Sequence, residues 1–255
     1  MDRLTIVKVG GKVVEDADSL NALLDQFIRI SGNKLLVHGG GRTATEMAGK
    51  LGIETKMVDG RRITDEATLD VVTMVYGGLI NKKIIAALLD RNCNAIGLTG
   101  ADLDLIRAKK RPANPIDFGC VGDIEEINSR ELRMLIGENI VPVVAPITHD
   151  GKGHLLNTNA DTIAAAIASE LANYFNVYLF FCFENKGVLK NQNDEMSVIY
   201  DLDFLTFQKL KAEETISGGM IPKLENAFNA KQKGVKEILI TNVENIASGR
   251  GTRIA

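Results

Sequence analysis

The sequence predicts an α/β protein in which a mainly parallel sheet is covered by helices. Three observations point to it. Helix-like and strand-like segments alternate along the whole chain, the order that produces parallel strands joined by crossover helices. The strand-like segments are short apolar runs, as expected of strands covered on both faces, and Val177-Tyr178-Leu179-Phe180-Phe181-Cys182-Phe183 is the most apolar of them. Twice near the start an apolar run leads into glycines beside positive charge: Thr5-Ile6-Val7-Lys8-Val9-Gly10-Gly11-Lys12, then Leu35-Leu36-Val37-His38-Gly39-Gly40-Gly41-Arg42.

Taken in order, residues 4–9 read as the first strand, and 18–31 as a helix with Leu20, Leu23, Leu24, Phe27 and Ile28 along one stripe. Residues 34–38 read as a second strand and 43–51 as a short helix. Between 65 and 91 the pattern is helical but broken by Gly77-Gly78, which predicts two helices joined by a kink. Further buried strands are expected at 94–98, 140–145, 177–183 and 236–241, and helices at 129–138, 160–173 and 222–233. In the last helix Pro222 suits the first turn and Gly234 the position just past the end. Residues 103–123 and 186–200 read as two β-hairpin excursions. The chain has no internal repeat, low-complexity segment or Pro/Ser-rich linker.

At 255 residues the chain can form one large α/β domain or two lobes. With 25% charged and 45% apolar residues, its composition is that of a globular protein, not a disordered one. The formal net charge of −3 offers no broad reason to bind nucleic acid or an anionic membrane. Arg107-Ala108-Lys109-Lys110-Arg111 is the one dense basic run, and it reads first as the solvated edge of a hairpin, second as a polyphosphate contact. Cys93, Cys120 and Cys182 are widely spaced and form no Cys-x-x-Cys pair, so free thiols in a reducing compartment are expected. Met1 leads almost at once into strand-like sequence, with no signal peptide, and no apolar run approaches the ~18 residues of a membrane span. Both point to the cytoplasm.

The glycine loops have the shape of an anion cradle. Glycine allows backbone N–H groups to approach a ligand closely, and a helix N-terminus adds its dipole. Neither loop fits the dinucleotide fingerprint or the ordinary phosphate loop, and glycines at strand-to-helix turns are common in any wound sheet. Asn157-Thr158-Asn159-Ala160-Asp161-Thr162 precedes an apolar helix and carries more amides and carboxylates than one helix cap requires. Ser217-Gly218-Gly219-Met220-Ile221-Pro222-Lys223 is a third glycine loop, and it brings a lysine to a helix start where the dipole mildly disfavours it.

Lys8, Arg62 and Lys223, the acid Asp161 and three glycine loops are thus candidates for one shared site. Phosphoryl transfer makes that set intelligible, because its catalysis is mainly positioning and charge neutralisation. The histidines offer no obvious general base. A nucleophile already ionised at neutral pH needs none, and a carboxylate with pKa near ~4 qualifies. The chemistry points to a kinase that makes an acyl phosphate.

The motifs Lys8-Val9-Gly10-Gly11, His38-Gly39-Gly40-Gly41, Gly60-Arg61-Arg62-Ile63-Thr64-Asp65, Asn81-Lys82, Gly97-Leu98-Thr99-Gly100, Gly119-Cys120-Val121-Gly122-Asp123, Asn157-Thr158-Asn159-Ala160-Asp161, Gly218-Gly219-Met220-Ile221-Pro222-Lys223 and Gly251-Thr252-Arg253-Ile254 stand in one order along the chain. Together they resemble the acetylglutamate kinases, within the wider family of amino acid kinases. The resemblance implies a three-layer α/β/α sandwich around a mostly parallel, roughly eight-stranded sheet. It implies an N-terminal lobe, 1–173, that binds the acylated amino acid and forms a homodimer, and a C-terminal lobe, 174–255, that binds ATP. The implied reaction is phosphorylation of the γ-carboxylate of N-acetyl-L-glutamate by ATP with Mg²⁺, in arginine biosynthesis.

Carried over by position, the resemblance makes Lys8 and Lys223 stabilisers of the transferring phosphoryl group and Asp161 the organiser of both. Gly10, Gly11, Gly40 and Gly41 would bind phosphoryl or substrate oxygens, Arg62 the substrate α-carboxylate, and Asn157 the N-acyl amino acid. Glu184, Asn185, Lys186, Gly187, Val188 and Leu189, with Thr215, Ile216 and Ser217, would line the nucleotide pocket. Mg²⁺ would sit on ATP phosphates and waters, with no protein ligand. Relatives inhibited by arginine carry an added N-terminal helix, so a homodimer without arginine feedback is expected.

Two positions depart from the family pattern. Phe183-Glu184-Asn185-Lys186-Gly187 replaces a Thr/Ser-Asp-Val-x-Gly loop, and Arg61 stands where a leucine is usual. Arg61 raises the alternative of N-succinyl-L-glutamate, whose acyl group carries a second carboxylate. Another amino acid kinase, or a ligand-binding relative without catalysis, are the remaining alternatives.

Overall fold

Strand β1 (Arg3–Val9) stands near the middle of the molecule because its residues are apolar on both faces. Leu4 and Ile6 enter one hydrophobic core, Val7 and Val9 the other. The computed structural model describes residues 1–58 and 60–255. After β1 come a short helix α1 (Gly11–Glu15) and α2 (Ala17–Arg29), which Asp16 caps by accepting the Ser19 N–H. Strand β2 (Asn33–His38) leads into α3 (Gly41–Lys50), then a small hairpin, β3 (Lys56–Val58) and β4 (Arg61–Ile63).

Helix α4 (Glu66–Val72) passes through a π-helical stretch, Thr73–Ile80, into α5 (Asn81–Asp90). Next are β5 (Ala95–Leu98), β6 (Ile106–Lys110), β7 (Gly122–Ile127), α6 (Ser129–Gly137), β8 (Val141–Val144), β9 (Ile147–His149) and β10 (Leu155–Asn157). Helix α7 (Ala160–Leu171) then leads to β11 (Asn176–Phe183). The chain ends with β12 (Val188–Leu189), β13 (Val198–Ile199), β14 (Asp201–Leu202), α8 (Phe204–Ala212), α9 (Met220–Gln232), β15 (Glu237–Asn242) and β16 (Thr252–Ile254).

Eight strands make the central sheet in the order β14-β16-β15-β11-β1-β2-β8-β5. Every neighbouring pair is parallel except β15 with β16. One core cluster packs α6, α7, α8 and α9 on one face, and the other packs α1 to α5 on the opposite face. This is the three-layer α/β/α sandwich expected. The first half of the chain builds the sheet on one side of β1, and the second half builds it on the other. Ligands in open α/β sheets collect at such a reversal, beyond the carboxyl ends of the strands. Because β1 and β2 are parallel neighbours, with Val9 beside His38, both glycine loops emerge at that same edge.

A second sheet, in the order β10-β9-β6-β7, stands beside this edge. It contains a β6–β7 hairpin whose second strand runs to Ile127, beyond the expected 103–123, plus β9 and β10, whose three-residue strands are too short to show a period in sequence. The basic run on β6 faces acids on β7: Arg107 meets Glu126, Lys109 meets Glu125 and Arg111 meets Asp123. Short bridges between Thr64 and Gly119, and between Val121 and Asn157, tie the 106–127 excursion to β4 and β10.

Gly77-Gly78 does not split its segment into two separate helices. Glu66–Asp90 is one continuous helical run of 25 residues, since a π-helical turn absorbs the glycines without breaking the backbone path. Its length and the apolar character of an 18-residue window within it would suffice for a bilayer span, an outcome hidden when Gly77-Gly78 is read as a break. Its buried residues Val71, Val72, Val75, Tyr76, Ile80, Ile84 and Leu88 face the core of this domain instead. Helix α9 begins at Met220, two residues before the expected start, so Pro222 lies inside its first turn, where no backbone N–H is missed.

Phe181 is fully buried on β11. Its truncation to alanine should lower unfolding free energy by about 3–5 kcal/mol in urea titrations, whereas Leu205→Ala, on an exposed side chain, should stay within about 0.5 kcal/mol of the parent.

Candidate active site

Lys8 lies on the same face of β1 as Leu4 and Ile6, because side chains alternate along a strand. That face is covered by α7 and α9. Lys8 is 7% exposed and would be an uncompensated buried charge without a partner. Helix α7 supplies one. Asn159 caps α7, its side chain accepting the N–H groups of Asp161 (2.8 Å) and Thr162 (3.1 Å). Asp161 is thereby relieved of capping and turns its carboxylate inward, where the helix dipole also favours it.

Lys8 Nζ stands 2.8 Å from Asp161 Oδ1, and Lys223 Nζ, from the first turn of α9, donates to Asp161 Oδ2 at 3.1 Å. The Lys8 contact is an ion pair, not an aligned hydrogen bond. Burial alone would raise the Asp161 carboxyl, but the two ammonium groups outweigh it and bring it down to about 2. Burial, and secondarily Lys8, lower the Lys223 ammonium, while Asp161 opposes them. The Phe183 ring lies 5.5 Å from Lys223 Nζ and covers the charge from the β11 side.

A cavity of about 450 Å³ opens above Lys8 and Asp161, while Lys223 stands behind Asp161 and is not itself part of the lining. Among its lining residues are Lys8, Gly11, Gly40, Gly41, Arg62, Asn157 and Asp161. The cradle is made at Gly40, which has φ 158° and ψ 21° and lies against helix Glu66–Asp90: a Cβ there would stand 2.2 Å from Ile80 Cδ1. Gly10 is not part of the lining. Its N–H continues the sheet ladder to the Cys182 carbonyl at 3.0 Å, so it serves β1 and β11 instead of a ligand.

Arg62 is 8% exposed and uses its fork on protein acceptors: Nη1 to Thr55 Oγ1 (3.1 Å), and Nη2 to the Gly41 carbonyl (2.7 Å) and Thr45 Oγ1 (2.8 Å). These hold the β3–β4 hairpin to the start of α3 and leave Nε–H and one Nη1–H for a ligand. Asn157 donates to Thr64 Oγ1 at 3.0 Å, which leaves its amide oxygen and second N–H free at the cavity.

The nucleotide candidates divide. Glu184, Asn185, Lys186 and Leu189 line a second cavity of about 280 Å³ at the end of β11, with Glu195, Asn242 and Glu244. Gly187 and Val188 pack on Thr252 instead, Val188 and Ile216 are fully buried, and Thr215 and Ser217 lie outside this cavity. Among the described residues no cluster of three or more His, Cys, Asp or Glu is arranged to hold a metal ion.

Several lining residues escape sequence reasoning. Tyr76 and Pro146 carry no motif, and Asn226 lies one turn after Lys223, donating to Thr162 Oγ1 at 3.3 Å. Arg111 is legible only as the end of a basic run. Glu15 does not line the cavity but supports it: Gly40 has no side chain with which to cap α3, and Glu15 Oε1 accepts the Thr43 N–H at 2.8 Å in its place.

A three-layer sandwich with one buried and one half-buried lysine bracketing a carboxylate at the strand ends defines a phosphotransferase of the amino acid kinase type. The chain belongs to the amino acid kinase family, which it matches over residues 3–242. It is 56% identical over 254 residues to the acetylglutamate kinase of Parabacteroides distasonis, covering 100% of both chains. It is 57% identical to that of Phocaeicola vulgatus, covering 99% of this chain and 98% of the other. Among solved structures, smu.665 from Streptococcus mutans UA159 superposes with a TM-score of 0.82 at 25% identity, covering 99% and 98% of the two chains.

The Asp161 carboxyl titrates below its ordinary value of 3.8, so the unfolded chain binds this proton more readily than the folded one. Its contribution to stability is complete above that ordinary value and is lost as pH falls towards about 2. Asp161→Asn should destabilise the fold by about 3 kcal/mol at neutral pH, because two buried cations then face each other. In urea titrations the gap from the parent should narrow as pH drops below 4.

Proposed function

We propose that the protein transfers the γ-phosphoryl group of ATP to the γ-carboxylate of N-acetyl-L-glutamate, yielding the acyl phosphate and ADP. The observation that carries this reading is the Lys8–Asp161–Lys223 triad beneath a cavity lined by Arg62, Asn157 and the glycine loops. A carboxylate oxygen attacks the γ-phosphorus while the bond to the β–γ bridging oxygen breaks, and ADP leaves with that electron pair. No proton has to be removed from the acceptor, which agrees with a site that brings lysines and amides together and no general base.

Lys8 and Lys223 neutralise charge on the phosphoryl group in flight, and Asp161 holds them apart at a fixed spacing without meeting the phosphate. The N–H groups at Gly11, Gly40 and Gly41 take acceptor or phosphoryl oxygens. The remaining N–H groups of Arg62 take the α-carboxylate, and Asn157 the acylated amine. Residues 1–173 act as the acceptor lobe and 174–255 as the nucleotide lobe, with Glu184, Asn185, Lys186 and Leu189 at the ATP cavity. Mg²⁺ arrives with ATP as part of the co-substrate.

The relatives' shared name supports the acetyl substrate, and nothing comparable favours the succinyl alternative raised by Arg61. A cytoplasmic homodimer in arginine biosynthesis completes the proposal. It is supported by the free Cys93, Cys120 and Cys182 and by the exposed apolar side chains Met74 and Leu79 on the Glu66–Asp90 helix.

ATP-dependent hydroxamate formation tests the substrate: N-acetyl-L-glutamate should exceed N-succinyl-L-glutamate and free L-glutamate, and equal or better rates with either competitor would refute the acetyl reading. Lys8→Ala and Lys223→Ala should each reduce kcat by at least ~10²-fold, the cost of one lost transition-state donor. Near-parental turnover in either variant removes that lysine from the mechanism.

A further inference from the structure

Beneath the Gly39–Gly41 loop lies a buried polar chain that the phosphoryl chemistry does not use. His38 ends β2 with no exposure, and Asn81 begins α5 at 1% exposure. His38 Nδ1 lies 2.8 Å from the Gly39 carbonyl oxygen, and His38 Nε2 lies 3.2 Å from Asn81 Nδ2. Asn81 Nδ2 also donates to the Val143 carbonyl at 3.0 Å, and Lys82 Nζ donates to Asn81 Oδ1 at 3.3 Å.

The protons in this chain can be assigned without ambiguity, because its outer members have only one role each. A carbonyl only accepts and an ammonium only donates, so Asn81 must present its NH₂ to Val143 and its oxygen to Lys82. The second hydrogen of that NH₂ then points at His38 Nε2, which must carry a lone pair. The proton of a neutral His38 is therefore on Nδ1, aimed at the Gly39 oxygen. Burial pushes the imidazole down to about 4, against a smaller opposing effect from Gly39, so the ring is neutral throughout the working range of pH.

That bond fixes more than a carbonyl. The oxygen of Gly39 and the N–H of Gly40 belong to one planar trans peptide and point in opposite directions. Holding the oxygen down on His38 turns the Gly40 N–H up, away from β2. Gly39 N–H is taken by the Val9 carbonyl at 3.1 Å, whereas among the described residues Gly40 N–H has no acceptor. Tyr76 and Ile80 close on the other side of Gly40 and leave no room for a Cβ. Gly97 is matched to the same chain, since a Cβ there would stand 1.7 Å from Asn81 Oδ1. The π-helical stretch Thr73–Ile80 places Tyr76, Ile80 and Asn81 around one loop, a use typical of such turns.

We propose that His38 is a positioning residue: held in its Nδ1–H tautomer by Asn81, it orients the Gly39–Gly40 peptide so that the Gly40 N–H faces the oxygens of the reacting groups. The inference rests on the acyl-phosphate reading above. His38→Phe keeps an aromatic ring but removes both bonds, whereas His38→Asn returns an amide N–H near the position of Nδ1. The Phe variant should lose at least ~10-fold in kcat with the KM for MgATP changed by less than about twofold, and the Asn variant should recover most of that loss. Parental kcat in His38→Phe, or equal loss in both variants, overturns the proposal.

A measurement on the unaltered protein covers the case in which the Phe variant fails to fold. With ¹⁵N-labelled histidine, NMR should find His38 neutral and protonated only at Nδ1 from pH 5 to 9. An Nε2–H tautomer, or an imidazolium in that range, overturns the proposal. If the unaltered protein makes no hydroxamate, the functional reading fails separately, and the NMR result still decides the tautomer.

Discussion

The ion triad of Lys8, Asp161 and Lys223 is the constraint around which this molecule is arranged. Three charges largely withdrawn from water are tolerable only together: either lysine alone, or the carboxylate alone, would carry a desolvation cost of several kcal/mol. Each comes from a different element, β1, α7 and α9, so the triad requires the central strand and two helices of one layer to meet at one point. The surplus positive charge left after pairing is what a phosphoryl group needs. Asp161 holds the two like charges at a fixed spacing in the absence of ligand.

The sheet order makes that meeting possible. With β1 flanked by β2 on one side and β11 on the other, the loops after β1, β2 and β11 share one edge. The cavity above Lys8 and Asp161 lies over one part of that edge and the cavity at Glu184 lies over another. Lys12 and Glu184, 2.8 Å apart, cross between the two regions. Both are solvent-exposed, so the pair contributes little to stability and marks proximity more than strength.

Support for the Gly39–Gly41 loop and Arg62 is drawn from the opposite layer. Helix Glu66–Asp90 presses Tyr76 and Ile80 against Gly40, and Glu15 takes over the cap of α3. Arg62 is bonded to Gly41 and Thr45 before any ligand arrives. A cradle built in this way has its donors oriented in advance, the condition under which they stabilise developing charge without reorganisation.

Much of this was legible in the chain itself. Apolar runs marked β1, β2, β8, β11 and β15, because strands buried on both faces need apolar residues at every position. The glycine loops, Lys8, Asp161, Arg62 and Lys223 stood out because their types exceed what turns and caps require. Other features are set by partners distant in sequence. Gly10 has the same local context as Gly11, yet the Cys182 carbonyl takes its N–H and leaves only Gly11 at the cavity. Val188 and Ile216 lie in segments that suggest a nucleotide pocket, but the core claims both. Gly77-Gly78 signals a break that a π-helical turn removes. The sequence by itself determined which groups are charged, which are apolar and where the backbone is free of side chains. Only the tertiary structure decided which of those groups face one another, because that depends on strand order and helix contacts between residues far apart in the chain.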